Sequence, residues 1–188
     1  MFSKIPFRFT GLALTLFLIA GCTTSMVEPQ TLTEPARSYQ SQALGEITVT
    51  QEEWQYLEPF FRTGFDQRLA KGDLGIAGVE AQPSSPESGV LFVTGTLTEI
   101  DEGSAAARFI IGFGAGRVRL RGDFTVLDAT GVQLASFTAG KAYSGGAGVG
   151  GLDLVSMNEL MADYGAEIAE RVANWARGRG PVIEESGG

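Results

Sequence analysis

Residues 117–143 read RVRLRGDFTVLDATGVQLASFTAGKAY, and their pattern decides the fold. From Arg117 to Leu127, polar and apolar residues alternate. Arg117, Arg119 and Arg121 fall on one side, Val118 and Leu120 on the other. A period of two is the mark of a strand with one face in a core and one in water. Asp128-Ala129-Thr130-Gly131 then supplies turn chemistry. An aspartate carboxylate can bond the backbone two residues on, and glycine takes the φ a tight reversal needs. Residues 132–143 resume the extended pattern, so the stretch predicts a β-hairpin.

Outward from the hairpin the pattern changes type. Residues 90–99 (VLFVTGTLTE) are a further strand, 43–49 (ALGEITV) a shorter one, and 76–81 a brief one before a Gly- and Pro-rich loop. Between them Trp54, Leu57, Phe61, Phe65 and Leu69 recur at steps of three and four, the stripe of an amphipathic helix. Thr50 with Glu53 three residues on has the form of a capping box for that helix. Pro59 lacks an amide donor, so it is expected to kink or split it. On the C-terminal side, residues 154–176 carry a second stripe through Met157, Leu160, Met161, Tyr164, Ile168, Val172 and Trp175, and Gly178 and Pro181 stop it. The order strand, helix, strands, helix predicts an α+β fold. A small antiparallel or mixed sheet is packed by two helices in a single domain spanning 43–177. Residues 178–188 read as a tail.

The N-terminus has a different logic. Lys4 and Arg8 precede an apolar run from Phe9 to Ala20, and Gly21-Cys22 follows. That layout is a secretory signal peptide over residues 1–21. The run is 12 residues long, short of the ~20 a spanning helix needs. Leu18-Ile19-Ala20-Gly21-Cys22 resembles the lipobox of bacterial lipoproteins, with Ile19 three before the cysteine and small residues between. The resemblance implies acylation of Cys22 after cleavage before it. Thr23, where Asp often marks inner-membrane retention, implies the periplasmic face of the outer membrane. Residues 22–42 then read as a lipidated tether, since TTSMVEPQTLTEPARSYQSQ is polar, Pro-interrupted and aperiodic. Fully extended, 20 residues reach about 65–70 Å.

Composition narrows the chemistry. Loss of Lys4 and Arg8 takes the 14 basic residues to 12 against 22 acidic ones, a net charge of −10. Such a chain is poorly suited to nucleic acid. There is one cysteine and no histidine. A Ser-His-Asp triad and a histidine-liganded zinc are thereby excluded, and no cofactor, metal or catalytic residue is expected.

Two features remain as candidate sites. In AAARFIIGFGAGRVRLR (105–121), Gly112, Gly114 and Gly116 lie on one side of an extended chain and Ile111, Phe113 and Ala115 on the other. The spacing is not a dinucleotide fingerprint, and a strand follows where a helix would be needed. A side-chain-free face permits close approach. That marks Ile110, Ile111, Gly112, Phe113, Gly114 and Gly116 as a candidate partner or oligomer contact, with a bent strand of the domain's own sheet as the plainer reading. Arg117, Arg119 and Arg121 form a guanidinium row able to hold phosphate or carboxylate. The plainer reading there is pairing with Glu99, Asp101 or Asp123 on a solvated face.

Arg108, the run from Ile110 to Arg117, then Asp128, Thr130, Gly131, Leu134 and the glycines of 145–151 together resemble an uncharacterised bacterial lipoprotein family, domain of unknown function 4410. The resemblance covers most of 90–176. Ala106 and Ala107 depart from its more polar pattern. It implies an envelope address and layout, and no mechanism. The expectation is a non-enzymatic, lipid-anchored envelope protein that binds a protein partner or itself. The alternative is a module for anionic envelope components such as lipopolysaccharide or peptidoglycan, using the arginine face.

Overall fold

Two facts of the hairpin organise everything else: it forms where expected, and its apolar face is covered. In the computed structural model, which describes residues 23–32, 39–79, 89–103, 117–143 and 156–179, β5 (Val118–Asp128) pairs antiparallel with β6 (Gln133–Tyr143). Gly131 at the turn has φ +83°. Asp128 Oδ1 accepts from the Thr130 and Val132 amides at 2.8 and 2.9 Å, which closes the reversal.

The other strands extend this pair into one six-stranded mixed sheet in the order β1-β6-β5-β4-β2-β3. β4 (Val90–Asp101) runs antiparallel to β5, β2 (Ser41–Val49) parallel to β4, and the two-residue β3 (Ala77–Gly78) parallel to β2. A parallel neighbour needs a crossover, and the first helical segment provides it. That segment is a 3-10 turn (Glu52–Leu57) followed by α1 (Glu58–Ala70). Pro59 stands in the first turn of α1, where its missing amide costs nothing, so the expected split falls immediately before it. α2 (Met157–Ala176) closes the fold after β6. A mixed sheet with two helices on one face is the α+β architecture read from the pattern.

The capping box, in contrast, sits elsewhere. The 3-10 turn begins after Gln51 without a side-chain cap. The Thr50 hydroxyl instead donates to Leu97 O at 3.1 Å, tying the end of β2 to β4. The working capping box is Ser156 with Glu159 at the start of α2, where hydroxyl and carboxylate satisfy each other's backbone amides.

The tether needs a larger correction. Thr23–Leu32 is β1, an edge strand antiparallel to β6 with Thr23 opposite Tyr143 and Leu32 opposite Ala135. The sheet therefore begins at residue 23, not 43. β6 presents an open edge of amides and carbonyls, and a polar segment can satisfy it without contributing apolar surface.

The core lies between the sheet and the helices. Phe124 stacks on Phe61 of α1 and on Phe137, with ring centroids 5.9 and 5.5 Å apart, and Tyr164 of α2 meets Phe61 edge-on at 5.8 Å. Gly95 and Gly122 flank the Phe124 ring; a Cβ on Gly95 would lie 2.5 Å from Phe124 Cδ1. The helices touch backbone to backbone. A Cβ on Gly64 would come 1.8 Å from Ala162 O, and one on Gly165 2.1 Å from Phe61 O.

Candidate functional site

Strand direction sorts the molecule into two ends. Thr23, Tyr143 and Val118 are in register at one of them. β4 leaves the sheet there through Asp101, and Gln51, beside the 3-10 turn, holds that end of β4 by accepting from the Ile100 amide at 2.6 Å and donating to its carbonyl at 3.2 Å. Ser156 starts α2 from the same end, because Tyr143 Oη donates to Leu160 O at 3.1 Å. The hairpin turn at Asp128–Gly131 and the C-terminus of α2 occupy the other end, where Gln42 Nε2 of β2 donates to Ala169 O at 3.4 Å.

The first candidate contact, Ile110, Ile111, Gly112, Phe113, Gly114 and Gly116, lies outside the described residues. In sequence it falls between β4 and β5.

The arginine row is placed more fully. Arg119 and Arg121 lie on the sheet face opposite the helices, while Val118 and Leu120 are buried beneath them as the alternation requires. Arg117 immediately precedes β5 and is exposed. Register sets Arg119 opposite Asp101 and Arg121 opposite Glu99 on β4. Asp123 continues the row, and its carboxylate accepts from the Thr138 hydroxyl on β6. Around them stand Thr94, Thr96, Thr98, Thr125 and Ser136 on the same face. The arginines thus stand among carboxylates at strand spacing, where opposite charges attract across the ladder.

A charged cluster on the other face was not singled out in the sequence. Lys141 lies on the helix side of β6, with only 9% of its side chain exposed, and its Nζ is 2.7 Å from both Asp163 Oδ2 and Glu167 Oε2 of α2. Glu167 also holds Arg171 at 2.6 Å. Burial alone would raise the Glu167 carboxyl pKa, but hydrogen bonds and charge from Lys141 and Arg171 outweigh it and hold the pKa below the ordinary value. Burial, reinforced by the Asp163 charge, pushes the Tyr143 hydroxyl pKa up, and that hydroxyl donates to Asp163 Oδ2 at 2.9 Å. The signal was present in the sequence: a lysine at the same parity as Phe137, Ala139 and Tyr143, facing carboxylates four apart on a helix. Arg68 makes a similar bridge, to Glu170 of α2 at 2.8 Å and to Asp73 at 2.6 Å. These charged groups join helix to sheet and helix to helix.

The family can now be stated. The model for Domain of unknown function (DUF4410) matches residues 34–147, which takes in β2, α1 and the whole β4-β5-β6 meander. The chain belongs to this family. Among solved structures, the DUF4410 chain is similar to a PelC dodecamer from Paraburkholderia phytofirmans, at 14% identity and a TM-score of 0.49 over 78% of this chain and 96% of that one. A second PelC dodecamer structure from the same organism gives 13% and 0.48 over 78% and 95%. Protein XCC0632 from Xanthomonas campestris, of family DUF330, gives 12% and 0.42 over 80% and 95%. Among curated proteins none matches this chain significantly.

Proposed function

We propose that this DUF4410 protein is a non-enzymatic lipoprotein of the bacterial envelope, acylated on Cys22, that works by binding a protein partner or a second copy of itself at the periplasmic face of the outer membrane. The observation that carries the reading is the lipobox, Ile19-Ala20-Gly21-Cys22, ending one residue before the first strand of the domain. The charges between the helices and the sheet support it from the other side. Lys141, Asp163, Glu167, Arg171 and Arg68 are engaged in ion pairs that hold the helices in place, so the conspicuous carboxylates have a structural use.

Two measurements test it. Cells expressing the wild type should incorporate palmitate label into the protein and hold it in the membrane fraction, and Cys22→Ala should lose both. Wild-type membrane association persisting in the unlabelled variant would remove the anchor from the proposal. Self-association or partner capture is read separately, by light scattering over a wide concentration range and by crosslinking in envelope extract. A monomer at every concentration that crosslinks to nothing would remove the binding role.

A further inference from the structure

The lipid anchor and the sheet share one end of the molecule. β1 starts at Thr23, and Thr23 is paired with Tyr143. Cys22 is the preceding residue, so its Cα is one peptide step, about 3.8 Å, from the sheet. A chain that began to fold only at residue 43 would hang from a spacer of about 65–70 Å. Antiparallel pairing removes that spacer and fixes its direction, because β1 runs away from Cys22 along most of β6, to Leu32 opposite Ala135.

From this we infer that the Tyr143 end of the domain, carrying Arg117, Val118, Asp101, Glu102 and the 3-10 turn, lies directly against the lipid headgroups, with the Asp128–Gly131 turn pointing away from the membrane. The inference rests on the acylation of Cys22. The occupant of this surface is a bilayer because the acyl chains and the start of the sheet are one residue apart. Charge does not draw the surface there. Among the described residues of this end, exposed Arg117 and Arg119 are matched against exposed Glu52, Glu53, Asp101 and Glu102, a slightly acidic set, so the covalent anchor sets its height. Placement should therefore be insensitive to salt, unlike a polybasic membrane contact.

The two ends of β5 provide the ruler. Eleven strand residues at roughly 3.3 Å each separate them by about 35 Å. Cys22 is the only cysteine, and acylation blocks its sulfur, so an introduced cysteine labels uniquely. Arg117→Cys and Thr130→Cys, both at exposed positions, are each labelled with a fluorophore in the acylated protein. The protein is then placed in phosphatidylethanolamine–phosphatidylglycerol vesicles containing a headgroup nitroxide lipid. The expected result is several-fold stronger quenching at position 117 than at 130, unchanged between low and high salt. Equal quenching, or stronger quenching at 130, would overturn the inference.

Mass measurement of the Cys22 peptide separates the two readings. If its thiol is free, the acylation proposal falls. The orientation is then tested by coupling that thiol to a maleimide lipid and comparing quenching of Trp54 and Trp175, each isolated by replacing the other with Phe. Trp54 sits on the 3-10 turn and Trp175 near the far end of the 20-residue α2. Stronger quenching of Trp54 upholds the orientation; equal quenching or the reverse order ends it.

Discussion

The two faces of the sheet are built from the same strands yet follow opposite rules. On the helix side, Val93, Leu97, Leu120, Phe124, Val126, Ala135 and Phe137 are almost wholly buried, and the nearest layers meet with no slack. On the other side, one residue further along each strand, stand Thr94, Thr96, Arg119, Arg121, Asp123, Thr125 and Ser136. Interiors pack like crystals, so the first face tolerates little change. The second is a half-solvated ladder whose pairs each contribute about 0.2–1 kcal/mol. Among the described residues, the difference places the tightly packed contacts on the helix side and the polar ladder on the other.

The hardest test falls where the helices cross. Gly165→Val would force its Cβ, 2.1 Å from Phe61 O at the ideal position, into helix backbone that cannot swing aside as a side chain can. The expected loss is above about 4 kcal/mol, the range reserved for severe overpacking. A urea melt reads it, or the absence of soluble folded protein does. A loss under 1 kcal/mol would show that the helices can separate and that the covered face is softer than described.

A neighbouring pair on β5 sharpens the contrast most directly. Phe124→Ala empties the space between Phe61, Phe137 and Tyr164 and should cost about 3–5 kcal/mol. Thr125→Ala, one residue on and facing the other way, should cost less than about 1 kcal/mol. Similar losses at both positions would erase the distinction between faces.

Much of this arrangement was legible, and what was not has identifiable causes. Residues 117–143 and the stripe from Met157 to Trp175 declare themselves because their periods are long and uninterrupted. The pattern Ser/Thr-x-x-Glu occurs at both Thr50 and Ser156, yet only the second caps a helix. Thr50 is still held to β4 through Leu97 O, and tertiary pairing overrides the local motif. β1 was unreadable for a related reason. TTSMVEPQTL has no alternation and contains Pro29, so its strand character comes from the edge of β6 rather than from its own residues. The Gly64 and Gly165 crossing was hidden because glycine inside a helix reads locally as a weakness, and its value appears only once a second helix lies against it. For the candidate contacts, alternation placed Arg119 and Arg121 on one face, but it could not show that Asp101 and Glu99 would stand opposite them.

Lys141 is the exception to the two-face rule, a charge on the covered side, and pH exposes it. The Glu167 carboxyl pKa is held below its ordinary 4.5 in the folded protein. The stability this group contributes is therefore present above the unfolded value of about 4.5 and is lost as pH falls through the lowered folded value. Glu167→Gln should cost about 1.5–3 kcal/mol at neutral pH, as expected for hydrogen bonds to charged groups, and should flatten the fall in urea midpoint as pH drops below the ordinary 4.5. An unchanged acid slope would mean that the cluster does not tie α2 to β6.

The smallest expected effect is the most informative about function. Arg119 is exposed opposite Asp101, and an exposed pair of this kind contributes about 0–1 kcal/mol. Arg119→Ala should therefore shift the urea midpoint by the equivalent of less than about 0.5 kcal/mol, with the slope of the transition unchanged. Suppose instead that the loss approached the 3–5 kcal/mol of a buried contact. The open face would then be covered in the folded protein, and the arginine row would belong to packing rather than to recognition. A neutral result keeps that face solvated and free to meet a partner. It also makes Arg119→Glu a clean probe of partner binding, because charge reversal there would act on an encounter without first disturbing the fold.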